Sequence, residues 1–318
     1  MKLLSRLVGI AAVSFLASGS ALAVDSLKVM VPANPGGGWD STGRALTAAM
    51  QSAGSIKNFQ IDNKGGAAGA IGLAQFVNSS KGDPNAIMIG GMVMIGGLIQ
   101  NKSAVGIDQV TPLARLTEEY EVIVVPTNSP IKDMKDLVAK FKANPGSISW
   151  GGGSAGGTDH ITVGLIAKAS GVDPTKINYV AFSGGGEALA AILGGQVTAG
   201  VSSYSEFQSQ VKSGTLRLLA VSSDKRIDGV DAPTLKEAGT DVTIQNWRMV
   251  AAAPGLSAEQ VAAVTADFEK LHSSATWQET LKTKGWADTY LSGDAFKAQL
   301  EKDVSATEGI LKEIGLVQ

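Results

Sequence analysis

The sequence predicts an α/β fold on a mainly parallel sheet, and three observations carry that prediction. Short apolar, β-rich runs alternate with helix-like runs. Glycines gather where a run of the first kind hands over to one of the second. The chain is also long enough for two domains. Apolar strands alternating with helices are the pattern of a parallel α/β sheet.

The expected strands are LKVMVP (27–32), FQIDN (59–63), AIMIGG (86–91), EVIVVP (121–126), SISWGG (147–152), NYVAF (178–182) and LRLLAVS (216–222). Between them lie the expected helices RALTAAMQSAG, AIGLAQFVNSS, DLVAKFKANPG, ITVGLIAKASG and EALAAILGG, several ending at Gly or Asn, a usual helix stop. The C-terminal quarter reads as helix-rich, with charged outer faces.

The first 23 residues read as an export signal: Lys2 and Arg6, then the apolar LVGIAAVSFLASG, then ALA ending at Ala23. That apolar stretch is shorter than a spanning helix needs. Removing residues 1–23 leaves 25 basic against 29 acidic side chains, a net charge of −4, and about 295 residues. The balance argues against a nucleic-acid partner, which needs a basic face. Without cysteine, disulfides, thiolate metal sites and cysteine nucleophiles are excluded. Two histidines, His160 and His272, leave little room for a histidine-rich metal centre, and no cofactor is expected.

Glycine makes up 39 of 318 residues, above the ~7% of ordinary chains. Its placement says more than its number. Clusters stand at Gly36-Gly37-Gly38, at Gly65-Gly66 with Gly69, at Gly151-Gly152-Gly153 with Gly156-Gly157, and at Gly184-Gly185-Gly186. In an open α/β sheet, ligands sit beyond the carboxyl ends of the strands. Helix N-termini there offer unpaired N–H groups and the positive end of the helix dipole to an anion. GGGWDS places Asp40 or Ser41 at an expected N-cap, and GGTDH places Thr158 or Asp159 at another. A single such turn reads equally well as a tight, capped connection; four together favour an anion cradle. Trp39 is either a packing residue or an aromatic wall over a cleft. Tyr204, at the end of an expected strand opposite, carries the same two readings.

Enzyme patterns are present but incomplete. GGSAG (152–156) matches G-x-S-x-G with Ser154 as nucleophile, but His160 follows too closely for a triad and His272 falls in a helical pattern. GGGSAG also matches the dinucleotide pattern G-x-G-x-x-G, a weak signal in so glycine-rich a chain.

Taken in order, VPANPGGGWDSTGRAL, IDNKGGAAGAIG, WGGGSAGGTDHITVGLIAKASG, YVAFSGGGEALAAILGGQV, LRLLAVSSDKR and APTLKEAG resemble the extracytoplasmic solute receptors of tripartite tricarboxylate transporters, the TctC or Bug family. The tryptophan after the triple glycine and AFSGGGE are most similar to the tricarboxylate, citrate-type branch. The resemblance implies a non-enzymatic, monomeric periplasmic binding protein of type II-like fold. It would have two lobes around a ligand cleft, 24–123 plus 224–318 and 124–223. Its ligand would be a citrate-like di- or tricarboxylate, delivered to membrane permease subunits; the alternatives are a receptor of the same fold for another carboxylate, a dicarboxylate or an aromatic acid, and a serine hydrolase using Ser154. The same resemblance places the ligand against Pro35, Gly36, Gly37, Gly38, Trp39 and Asp40 from one lobe, and Ser154, Ala155, Gly156, Gly157, Thr158 and Asp159 from the other. Ala67, Ala68, Gly69, Ser183, Gly184, Gly185, Glu187 and Tyr204 are expected nearby. Many family members carry an aspartate after GGQV where this chain has Thr198, which favours a purely anionic ligand. Arg44, Lys64 and Arg248 are expected to be helix or surface residues.

Overall fold

The computed structural model describes residues 24–318; the expected export signal lies outside them. In chain order the elements are β1 (Val24–Val31), α1 (Gly38–Ser52), β2 (Ile56–Asn63), α2 (Ala70–Ser79), β3 (Ala86–Gly91), α3 (Met92–Gln100) and β4 (Thr111–Pro126). There follow α4 (Met134–Ala143), β5 (Ser149–Gly152), α5 (Thr158–Ala169), β6 (Asn178–Ala181), α6 (Gly185–Leu193), β7 (Ala199–Ser203), α7 (Tyr204–Lys212) and β8 (Leu216–Val221). The chain closes with β9 (Gln245–Ala252), α8 (Ala258–His272), α9 (Ala275–Lys284), β10 (Leu291–Ser292) and α10 (Gly293–Glu313). No helix among the described residues is long and apolar enough to cross a membrane.

The strands run in the order β2-β1-β3-β9-β4-β7-β5-β6, with β8 and β10 also on β4. The sheet is mixed rather than mainly parallel. Parallel pairs are confined to β1 with β2 and β3, and to β5 with β6 and β7. Every pair made by β4 or β9 is antiparallel. These two strands carry the chain across the middle of the molecule, and β9 was not among the expected strands.

β4 belongs to two sheet halves at once. Thr111 to Tyr120 pair with β9, and Glu121 onward with β7 and β8. The return passes between Ile244 and Gln245, and Gln245 pairs with Tyr120. Each half has its own apolar core. One is built around Val29, Leu46, Ile87, Met249 and Phe296; the other around Ile123, Phe141, Trp150 and Ile166, with a smaller cluster on its far face around Val122, Ile192 and Phe207. Leu235, Val242 and Ile244 pack in the second core, so the segment 224–244 sits with the lobe opposite to the expected one. α10 begins against the first core at Phe296 and Leu300 and ends in the second at Leu311 and Ile314. We propose lobe boundaries at Tyr120/Glu121 and Ile244/Gln245, with the end of α10 docked on the second lobe.

Candidate functional site

The carboxyl ends of β1, β5 and β6 all deliver the chain to a helix through glycine. The loops before α1 and α5, one from each lobe, are built alike. Gly36 has φ 93° and Gly156 has φ 76°, the left-handed region that glycine enters without strain. Each is followed by an extended glycine N-cap, Gly37 with ψ 179° and Gly157 with ψ 176°. The third helix, α6, has Gly184 as N-cap. None of these three N-caps makes a side-chain capping bond. α1 therefore starts at Gly38 and α5 at Thr158, each behind a glycine N-cap, and the capping roles expected of Asp40, Ser41, Thr158 and Asp159 are not the ones they play.

The first-turn acids brace the loops from behind instead. Asp40 Oδ2 accepts the Gly36 N–H at 3.0 Å, Asp159 Oδ2 accepts the Gly153 N–H at 2.6 Å, and Glu187 Oε2 accepts the Ser183 N–H at 3.1 Å. Asp40 is fixed further by Arg44 Nε at 2.9 Å and by Asn63 Nδ2 at 3.0 Å. These bonds to Arg44, Gly36 and Asn63 outweigh its burial and hold its pKa below the usual carboxylate value.

All four glycine clusters meet at one cavity of about 60 Å³ between the sheet halves. At ~10–15 Å³ per water that is room for a few waters, the scale of a small acid. Of the expected residues, Gly37, Gly38, Trp39, Gly69, Ser154, Gly157, Asp159, Ser183, Gly184 and Gly185 line it. Pro35, Gly36, Asp40, Ala67, Ala68, Ala155, Gly156, Thr158, Glu187 and Tyr204 do not. Thr198 does not line it either; its hydroxyl lies 3.1 Å from that of Ser149. Trp39 is both packing residue and wall, being 8% exposed within the first core and facing the cavity. Tyr204 packs instead beside the core cluster of Phe207.

The wall also contains Gly66 and Gly153 of the glycine clusters, and groups that sequence reading did not place against a ligand: Ser202, Glu206, Asn246 and Arg248, with Pro32, Ala33 and Val93. Arg248, expected at a helix or the surface, is 2% exposed on β9 and ion-paired with Glu119 of β4. Its guanidinium also stands 5.8 Å from the centroid of the Trp286 ring. A Cβ on Gly38 would overlap it, so the bare helix start is needed for that arginine to reach the cavity. Arg44 and Lys64 are exposed.

Arg248 is outnumbered. Glu119 and Glu121 of β4, Asp159 of α5 and Glu206 of α7 share its buried surroundings. Burial pushes the Glu121 carboxyl well up, and Asp159 and Glu206 push it further. Burial also raises Asp159 to about 7, against the pull of the Gly153 N–H. Glu206 is raised by burial, with Arg248 and the Ser202 hydroxyl opposing. Beside them Tyr179 donates from its hydroxyl to Gly153 O at 2.8 Å and stacks on His160 at 4.2 Å. His160 Nδ1 accepts the Gly156 N–H at 3.1 Å, and burial lowers its pKa to about 4, so it is neutral near pH 7. Its ring supports the loop rather than a nucleophile. Ser154 keeps a negative φ, whereas the nucleophile elbow is a strained turn. His272 ends α8 and pairs with Asp288 at 2.9 Å.

Two α/β halves bring bare helix N-termini to one partly open cavity, an arrangement that suits an anionic solute. The chain belongs to the TctC family, since the model described as tripartite tricarboxylate transporter family receptor matches residues 47–316. Protein BugT of Bordetella pertussis is 22% identical over 294 residues, covering 91% of this chain and 89% of that protein. A UPF0065 protein from the gbd 5′ region of Cupriavidus necator is 28% identical, and there the match spans 62% of this chain and 59% of the relative. Among solved structures, the periplasmic binding protein BugD superposes with a TM-score of 0.80 at 22% identity, covering 92% of this chain and 98% of BugD. MatC from Rhodopseudomonas palustris, solved with malate, gives 0.78 at 22%, covering 91% of this chain and 99% of MatC. An R. palustris protein solved with adipate gives 0.81 at 23%, covering 92% and 97%. These likenesses establish the fold as that of periplasmic binding proteins.

Proposed function

We propose that this protein is a periplasmic receptor that closes its lobes around a small di- or tricarboxylate and presents it, as a monomer, to the membrane subunits of a tripartite transporter. The observation that carries the reading is the meeting of three glycine-capped helix N-termini, those of α1, α5 and α6, at one cavity. First-turn N–H groups have no partner within their own helix, and an anion supplies one. In this reading Gly37, Gly38, Ser154, Gly157 and Gly185 meet the carboxylate groups, and Trp39 covers the carbon chain. Pro35, Gly36, Asp40, Gly156, Thr158 and Glu187 shape the loops. Malate and adipate in the neighbours named above support the ligand class, and citrate extends it to a third carboxylate.

The test is direct. Protein purified from the periplasm is denatured and the released small molecules are identified by mass spectrometry. Citrate, malate, succinate and adipate are then titrated in thermal unfolding. A ligand at a hundredfold excess over its dissociation constant stabilises the folded state by ~2.7 kcal/mol. Absence of a shift with every carboxylate tested overturns the proposal; a shift with adipate alone moves the ligand to the unbranched dicarboxylates.

A further inference from the structure

An anion cradle explains the glycines but not Glu206. This acid rises from α7 into the wall of the same cavity. Its Oε2 accepts the Ser202 hydroxyl at 2.5 Å, and the nearby Gly38 N–H favours the charged form of the carboxyl. Its Oε1 is out of contact with solvent and has no hydrogen-bond donor. The position of that oxygen is specific. A Cβ on Gly185, the first residue of α6, would overlap it, and a Cβ on Gly37, the N-cap of α1, would stand 3.6 Å from it. A strong acceptor thus lies bare beside the N–H groups assigned to the ligand carboxylate.

Such an acceptor is badly placed for an anion and well placed for a donor. A carboxylate held on the first turns of α1 and α6 sets its adjoining carbons against Oε1. If those carbons bear only hydrogen, the acceptor stays buried and unserved, which is unfavourable. If one bears a hydroxyl, the O–H donates and the acceptor is satisfied. We infer that Glu206 is a specificity-determining residue, whose Oε1 selects carboxylates carrying a hydroxyl next to the bound carboxylate group over their unsubstituted analogues.

The inference rests on the receptor reading and is tested with matched probes. Malate and succinate differ by one hydroxyl, as do citrate and tricarballylate. Calorimetry should show the hydroxylated member of at least one pair binding roughly ten- to a hundredfold more tightly, the scale of one hydrogen bond to a charged group. Glu206→Leu fills the same space without an acceptor, and apolar replacement of a buried charge is often tolerated. In that variant the hydroxylated acid should weaken to within about threefold of its partner, while succinate or tricarballylate binds as well as before or better. Glu206→Gln keeps an acceptor oxygen and should retain an intermediate preference, which decides the matter if the leucine variant does not fold. Equal binding within both pairs overturns the inference. So does a preference that survives in the leucine variant, or a parallel loss of both members, which would make Glu206 a donor to the carboxylate. Binding of adipate but of neither pair also overturns it and leaves the receptor reading standing. If no carboxylate binds, the receptor reading fails with it.

Discussion

Replacing Asp159 by Asn should stabilise the protein, and by an amount that depends on pH. Folding buries this carboxyl among Glu121, Glu206 and Arg248 and raises its pKa from 3.8 to about 7. A raised carboxyl pKa means that the folded chain holds a proton the unfolded chain has released. The stability contributed by this group is complete below pH 3.8 and is lost as pH rises to about 7. The difference of 3.2 pH units corresponds to about 4 kcal/mol at ~1.36 kcal/mol per unit. Asparagine is neutral throughout and keeps an oxygen for the Gly153 N–H, so it avoids that loss. His160 acts in the opposite sense. Its pKa falls from 6.5 to about 4, so its contribution is present above pH 6.5 and lost on acidification toward 4. That effect is common to both proteins and cancels in their difference. The assay is thermal unfolding of wild type and Asp159→Asn at intervals from pH 4 to 8. With ~2 °C per kcal/mol for a chain of this size, the melting temperatures should nearly coincide at pH 4 and differ by about 8 °C at pH 8. A difference independent of pH, or a variant less stable than wild type at pH 8, refutes the reasoning.

Two further outcomes follow from the same wall. Gly37 has φ −91° and ψ 179°, open to any residue, so Gly37→Val should fold within a few degrees of wild type; its side chain would meet Gly185 N and Glu206, and calorimetry should show carboxylate affinity reduced about tenfold or more, as overpacking costs ~1–3 kcal/mol. Arg248→Met removes the partner of Glu119 and leaves buried acids without a cation. Urea unfolding should show ~3–5 kcal/mol lost, and Glu119→Gln in the same background should restore part of it.

The glycine clusters were legible because their cause is local. A strand that ends at a helix whose first turn must stay bare needs glycine at the N-cap, whatever the rest of the fold does. The charged wall was not legible, because its cause is the crossing of the lobes. TPLARLTEEY contains a proline and alternates poorly, so only EVIVVP read as strand, although β4 is one strand of 16 residues. QNWRMVAA, which has no proline, was passed over because its polar start and central arginine break the apolar run. Its one signal was Arg248 alone among apolar neighbours, which marks either a break in a strand or a cation buried with a purpose. Its partner Glu119 is 129 positions away, beyond the reach of any local pattern. The capping expectations failed for a related reason: Asp40 and Asp159 hydrogen-bond backward to Gly36 and Gly153 rather than to their own helices.

The joint between the lobes is not a pair of loose linkers. At Tyr120 and Gln245 the two crossings are neighbours in one antiparallel ladder, and α10 packs against β4. Such a ribbon is soft in bending and stiff against sliding, because a shift along it would break register in both sheet halves together. Mechanically it is a leaf spring with one easy motion. On the proposed lobe boundaries, the lobes would swing apart about it and, on returning, bring the loops of Gly37, Ser154 and Gly185 back to the same mutual position. The joint itself would then align the jaws, before any ligand arrives.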